Sequence, residues 1–140
     1  MVSSVELHHS QILKGVLDMC VLASIVEEPS YGYALVQKLN DRGLALPNEN
    51  SIYLVLKRLK ANGRIEGSLV ASDSGPARKV YHATEAGRDV LTAWTADWQA
   101  VRDGVETVLS AMETAGTAGT ASAAGEHESA NVGELNGGKG

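Results

Sequence analysis

The side chains with the clearest potential for chemistry are basic residues in the middle of the chain. Between residues 51 and 81 there are six Lys or Arg residues and two acidic residues, so this segment has a net charge of +4. The whole chain is acidic by contrast, with a formal net charge of −5 over 140 residues. A local basic excess favours contact with the phosphates of nucleic acid. The six residues are Lys57, Arg58, Lys60, Arg64, Arg78 and Lys79.

Four of these basic residues accompany a helix predicted over about 49–62, which ends before Gly63. Its apolar residues Ile52, Val55, Leu56 and Leu59 fall on one face, so the basic side chains extend from the other. Ser51 and Tyr53 lie in its first turns, where a helix N-terminus favours phosphate. The same pattern is also typical of a solvated helix face with Tyr53 packed inward, and charge alone leaves both interpretations open.

The flanking segments predict the elements that position this helix. Ser10 and Ser30 are candidate N-caps of two preceding helices, and Thr84 is the candidate N-cap of a last helix that runs to about Met112. Two β-capable runs, 64–72 and 78–83, predict a hairpin whose tip holds Gly75 in a turn with unusual dihedral angles. The fold class is therefore mainly α with a small β-hairpin, a winged helix-turn-helix followed by a long helix.

Large apolar residues on the last helix recur in steps of three and four, as in a heptad seam. The predicted helix is about 42 Å long, which is too long to be buried against so small a domain. A partner helix from a second copy is expected, so the helix is predicted to form a homodimer. The seam consists of Leu91, Trp94, Trp98, Val101, Val105 and Val108.

Composition divides the chain into four predicted parts. Residues 1–9 are expected to be a flexible N-terminus, 10–83 the winged helix-turn-helix, and 84–112 the dimerisation helix. Residues 113–140 are rich in Gly, Ala, Ser and Thr, so they bury too little surface to offset the entropy of ordering and are expected to be disordered.

The remaining residues argue against several other classes of protein. The single cysteine, Cys20, excludes an intramolecular disulfide and suits a cytoplasmic protein. The four histidines have no spacing typical of a metal site, and no catalytic or phosphate-loop motif is present, so neither an enzyme nor a cofactor is expected. The apolar stretch 12–26 is interrupted by Lys14 and Asp18, which argues against a membrane span.

Three segments together resemble the PadR family of winged-helix transcriptional regulators. They are YGYALVQKL, SIYLVLKRLKANGRIEG and SGPARKVYHATEAGRDVL, and the resemblance covers about residues 10–110. The single final helix is similar to the family's short subgroup, in which that helix builds the dimer. The resemblance implies a homodimeric repressor that binds a palindromic operator in double-stranded DNA. By position, the DNA-facing residues it implies are Tyr31, Tyr33, Ser51, Tyr53, Lys57 and Arg58, with Arg78 and Lys79 in the wing.

The chain also departs from this family pattern in two places. Leu54 follows Tyr53 where a proline is frequent, and Ala77 stands where a second basic residue is frequent. Trp98 aligns with a position that, in drug-binding members, stacks on planar ligands, and Trp94 lies one turn earlier. A small aromatic effector is therefore one hypothesis for this pair, and dimer core is the other.

Two functions follow as predictions from the sequence. The first is a dimeric, sequence-specific DNA-binding repressor that a small molecule releases from DNA. The alternative is a winged-helix interaction module that binds a protein partner through its acidic exterior, because a fold does not by itself fix a function.

Overall fold

The computed structural model describes the backbone of residues 4–124, and the side chains of residues 4–5 and 7–116. In chain order the elements are α1 (Ser4–Glu27), β1 (Ser30–Tyr31), α2 (Gly32–Asp41), α3 (Asn50–Ala61), β2 (Ile65–Ser72), β3 (Gly75–Ala83) and α4 (Glu85–Ala124). The strands form one antiparallel sheet in the order β1-β3-β2. This arrangement confirms the predicted fold class, a mainly helical winged helix-turn-helix.

One hydrophobic core joins α1, α2, α3 and the start of β2. Apolar residues at helical spacing on each helix supply it, because that spacing places them on one face. The exposed fraction is below a tenth for every one of these side chains. The core consists of Leu17, Val21, Leu22, Ile25, Leu35, Val36, Leu39, Ile52, Val55, Leu56, Leu59 and Ile65.

The chain divides into two units, Met1–Trp98 and Gln99–Gly140. The first unit contains the core and the whole sheet. In the second unit, the side chains that the structure describes belong to α4, and all of them are exposed.

Two helix boundaries differ from the sequence prediction. Helix α1 begins at Ser4 rather than at Ser10, because His9 in its early turns contacts the backbone of the α2–α3 connection and holds this end against the domain. Helix α4 continues to Ala124, beyond the predicted end near Met112, and its added turns include several alanines, the residue with the highest helix propensity. Of the predicted disordered tail, residues 125–140 lie outside the described residues.

The predicted cap at Ser30 was wrong, while the cap at Thr84 is confirmed. Ser30 and Tyr31 are extended and pair with Tyr81 and Val80, which adds a third strand that two residues are too short to reveal as a pattern. The Ser30 hydroxyl donates to the Glu28 carbonyl at 2.9 Å instead of capping α2. The Thr84 hydroxyl oxygen accepts a hydrogen bond from the Gly87 N–H at 3.0 Å, as an N-cap does.

The hairpin turn is also placed differently from the prediction. Asp73 and Ser74 form the turn, and Gly75 begins β3 opposite Ser72. Among the described glycines, the positive φ angles belong to Gly43 and Gly63, which follow α2 and α3 and end them. Gly75 is not among the residues with a positive φ, and the pairing of β2 with β3 shifts register between Val70 and Ser72.

Candidate nucleic-acid interface

All four tyrosines of the chain line one open groove in the first unit, beside the start of α2, the first turns of α3 and strand β3. The groove has a volume of about 460 Å³. Its two charged residues are both basic, and no acidic side chain lines it. The groove residues are Tyr31, Gly32, Tyr33, Tyr53, Arg78, Lys79 and Tyr81.

Gly32 allows Tyr53 of helix α3 to lie close to the start of α2. A Cβ atom at this position would lie 2.7 Å from Cε1 of Tyr53 and 3.5 Å from Cδ1 of Leu56. A Cβ at that distance would force the Tyr53 ring to shift, and in the structure Tyr53 packs on the bare backbone at the start of α2. The Tyr53 side chain remains 43% exposed, which leaves part of its ring on the groove surface.

Strand β3 supplies the positive charge of the groove. The Arg78 guanidinium lies over the Tyr31 ring, 5.5 Å from its centroid, in a cation–π contact that holds the guanidinium on this side. Lys79 and Tyr81 are two residues apart on the strand, so they share one face of the sheet. Burial raises the pKa of the Tyr81 hydroxyl, and the nearby Tyr53 raises it further. The Tyr81 hydroxyl therefore stays protonated near neutral pH and remains a hydrogen-bond donor.

Of the other predicted DNA-facing residues on α2 and α3, Tyr33 also lines the groove, whereas Ser51, Lys57 and Lys60 lie outside its lining. The Tyr33 side chain is 60% exposed, and its hydroxyl oxygen accepts a hydrogen bond from the Gln37 amide at 3.0 Å. The Ser51 hydroxyl donates to the Asn48 carbonyl at 2.7 Å, at the start of α3. Lys57 and Lys60 are exposed on α3, outside its buried face.

Arg58 is held by helix α1 rather than extended from α3. Its guanidinium donates to both carboxylate oxygens of Asp18, one of them at 2.8 Å, and this contact raises the pKa of Arg58. The pair joins α1 to α3, and the Arg58 side chain is still 53% exposed. A role for Arg58 in contacting DNA remains a prediction.

We expect the Asp18–Arg58 pair to be measurable as a coupling between α1 and α3. In a double-mutant cycle of Asp18→Ala and Arg58→Ala, the coupling free energy of unfolding should be about 0.5–1 kcal/mol, since the pair is bidentate but partly exposed. Urea denaturation of the four proteins measures it. Strictly additive effects would show that the pair does not connect the two helices energetically.

Arg64 also lies outside the groove. Its guanidinium is 5.5 Å from the centroid of the ring of Trp94, one of the two tryptophans proposed from the sequence as effector contacts. The Arg64 carbonyl accepts a hydrogen bond from the Thr84 N–H at 3.1 Å, so its backbone helps to anchor the start of α4. This location favours a structural role for Arg64 over contact with DNA in the groove.

The predicted seam of α4 falls into two parts. Leu91 and Trp94 are partly buried against the core of their own domain. Beyond them, Trp98 is 38% exposed and the apolar residues that follow are exposed between 49% and 67%. These following residues are Val101, Val105, Val108, Leu109 and Met112.

Sequence reasoning missed two groove residues, Gly32 and Tyr81. Tyr81 carried a usable signal, because it was the one tyrosine left out and it follows Lys79 at the two-residue spacing of a strand face. Gly32 carried none, since only the packed helices show that Tyr53 needs its missing side chain.

The remaining candidates of the sequence are unremarkable in the structure. Cys20 is partly buried, and burial raises the pKa of its thiol, which disfavours the reactive thiolate. Within residues 4–124 no group of three His, Cys, Asp or Glu side chains could hold a metal ion. Residues 7–27 of α1 are long and apolar enough to cross a membrane by length and composition alone, but this helix also supplies core residues of the domain.

Comparison with known proteins identifies the family. A sequence model of the transcriptional regulator PadR-like family matches residues 21–93. A PadR-like transcriptional regulator of Bacillus cereus is similar in structure with a TM-score of 0.64 and 43% identity, over 71% of this chain and 96% of that one. A PadR family regulator of Eggerthella lenta gives a TM-score of 0.67 and 34% identity, over 75% and 91%.

A probable transcriptional regulator of Mycobacterium tuberculosis is 29% identical over 84 residues, which cover 58% of this chain and 44% of that protein. Members of the matched family are transcriptional regulators and not enzymes. The chain belongs to the PadR-like family of transcriptional regulators.

Proposed function

We propose that the protein is a homodimeric, sequence-specific DNA-binding repressor that holds the DNA backbone in the tyrosine-lined groove. The observation that carries this proposal is the meeting of four tyrosines with Arg78 and Lys79 in one groove without an acidic residue. Arg and Lys side chains neutralise phosphates, and tyrosine hydroxyls donate to phosphate oxygens. The groove therefore offers both charge and directed donors to a DNA backbone.

Helix α3 is the element that we assign to the major groove. Its inner face is buried in the core, and its outer face presents Lys57 and Lys60 to solvent. Its first turns carry Tyr53 at the groove, so backbone contacts there would fix the register of the helix on the duplex. The hairpin of β2 and β3 acts as the wing and brings Arg78 and Lys79 to the adjacent backbone.

Dimerisation is proposed through the exposed apolar residues of α4. Trp98, Val101, Val105 and Val108 follow one another in steps of three and four, and each leaves a substantial apolar surface uncovered. A second copy of the helix is the partner whose seam matches this spacing. Two copies would present two α3 helices, which predicts two half-sites about one helical turn apart, or a multiple of it.

We expect Val105→Asp to convert the dimer into a monomer, because a carboxylate would lose its hydration in an apolar seam. Sedimentation velocity measures the change in mass. Thr107→Asp is the matched control, since it adds the same charge on the opposite side of the same helix and should leave the dimer intact. A dimer that persists in Val105→Asp would place the interface elsewhere.

Release from DNA by a small aromatic effector is proposed at Trp98 rather than at Trp94. The Trp98 ring is partly exposed, whereas Trp94 is packed on the core beneath Arg64. A ligand releases DNA only if it binds the DNA-incompetent form of the dimer more tightly. Quenching of fluorescence in a Trp94→Phe variant, in which Trp98 is the remaining tryptophan, would detect planar aromatic ligands. No quenching by a panel of such ligands would reject the effector.

Footprinting on a selected DNA site tests the proposed function. Protection of two half-sites related by a two-fold axis is expected for a dimer with two α3 helices. Protection that ignores sequence would reject the sequence-specific repressor. A dimer that binds no DNA but retains one protein partner would favour the interaction module.

We place the protein in the cytoplasm, where its DNA target is accessible.

A further inference from the structure

The connection between α2 and α3 has an unusual backbone conformation, and one side chain from α1 and one from α2 form hydrogen bonds to it. Ala45 has a φ of 55°, in the left-handed region that residues with a Cβ rarely adopt. Leu44 and Leu46 on either side pack against the core, while Ala45 itself is exposed. Its conformation therefore depends on what fixes the peptides around it.

His9 of α1 binds one side of this connection. Its Nε2 atom lies 3.2 Å from the Leu44 carbonyl oxygen and 3.1 Å from the Ala45 carbonyl oxygen. Because both partners are acceptors, Nε2 must carry the hydrogen and share it between them. The His9 side chain thus joins α1 to Leu44 and Ala45, which lie 35 and 36 positions further along the chain.

Asn40 of α2 binds the other side. Its side-chain oxygen accepts a hydrogen bond from the Leu46 N–H at 2.8 Å. The peptide between Ala45 and Leu46 is therefore bound at its carbonyl by His9 and at its N–H by Asn40. A peptide fixed at both ends cannot rotate without breaking one of the two bonds.

We propose that His9 and Asn40 are positioning residues that orient α3 by clamping this peptide. Helix α3 begins at Asn50, shortly after the clamp, so the direction in which the chain leaves Leu46 sets where its first turns lie. Those turns carry Tyr53 to the groove. The inference rests on the proposed DNA binding. Neither residue lines the groove, so their effect on affinity would act through α3 rather than through DNA contact.

The test uses the full-length protein and an operator selected from a random DNA library. We expect His9→Ala to weaken specific binding at least tenfold while the slope of log affinity against log salt stays unchanged, because the number of phosphate contacts is the same. His9→Gln, which keeps a side-chain N–H donor, should recover much of the loss. His8→Ala is the matched control on the adjacent, exposed position and should bind like the wild type.

A second substitution separates positioning from stability. Ala45→Gly removes the cost of the left-handed φ, so in the His9→Ala background it should restore the melting temperature without restoring affinity. Recovery of both would show that His9 only offsets local strain and would overturn the inference. So would affinity of His9→Ala within twofold of the wild type.

Amide exchange keeps the clamp testable apart from DNA binding. Exchange of the Leu46 N–H should be at least tenfold faster in His9→Ala and in Asn40→Ala than in the wild type. If the wild-type protein selects no operator, the proposed function fails, and unchanged exchange at Leu46 would overturn the clamp independently.

Discussion

Replacing Gly87 with alanine is expected to destabilise the domain strongly, because the added methyl group would overlap the backbone of Arg64. A Cβ atom at Gly87 would lie 2.1 Å from the Arg64 carbonyl oxygen and 3.0 Å from the Arg64 carbonyl carbon. Both are backbone atoms, so rotation of a side chain cannot relieve the overlap. The Arg64 carbonyl oxygen also accepts a hydrogen bond from the Thr84 N–H. The overlap would therefore lie at the junction of α3, β2 and α4.

We expect Gly87→Ala to lower the free energy of unfolding by at least about 3 kcal/mol, at the upper end of overpacking substitutions. The melting temperature should fall by about 10 °C or more for a domain of this size. Thermal and urea denaturation measure both quantities. The cost should appear as a shift of the whole transition, since the junction belongs to the folded core.

Gly15→Ala is the matched control for this prediction. Gly15 is exposed within α1, and nothing lies within 4 Å of the position its Cβ would take. The same substitution should therefore stabilise the protein by up to about 1 kcal/mol through helix propensity. Equal stability of Gly87→Ala and the wild type would contradict the close approach of α4 to Arg64.

The double substitution Arg78→Ala, Lys79→Ala is expected to have the largest effect on DNA binding. Each charged contact to a phosphate that is lost should lower the slope of log affinity against log salt by about 0.9, so the pair should lower it by about 1.8. Affinity at fixed, moderate salt should fall on the order of a hundredfold or more, since hydrogen bonds to charged groups contribute about 1.5–3 kcal/mol each. Titrations at several salt concentrations measure both effects.

Fold retention is expected in this variant because both side chains are exposed. Lys14→Ala, Arg102→Ala is the matched control, since it removes the same charge from α1 and α4, which lie outside the groove lining. It should leave the slope close to that of the wild type. An equal loss in both double variants would mean that overall charge, and not the groove, governs binding to DNA.

The fold was predictable where local sequence chemistry decides it. The face of α3 with Ile52 and Leu56, the end of α3 at Gly63 and the cap at Thr84 all follow from spacing or from residue type. Strand β1 did not, because two residues carry no periodicity and their pairing with β3 is decided by tertiary contact. The same holds for the early turns of α1, which His9 fixes through a contact far along the chain.

The candidate site was predictable by residue type but not by partner. Tyr31, Tyr33, Tyr53, Arg78 and Lys79 were selected from the sequence, and the structure brings them into one groove. Arg58 was selected for its charge, yet Asp18 lies 40 positions away and no local pattern links the two. The sequence does not show which acidic side chain pairs with a given basic residue. It therefore does not distinguish an ion pair within the fold from a contact to DNA.

The most direct test of the proposed function is a mobility shift of the purified protein on the DNA upstream of its own coding sequence. It is measured at controlled salt with a scrambled competitor, and the mass of the protein is determined in parallel. The groove and the α4 seam predict a dimer that binds this DNA, or a site selected from a random library, in preference to the scrambled sequence. A stable dimer that binds neither would contradict the proposal and favour a protein-interaction module.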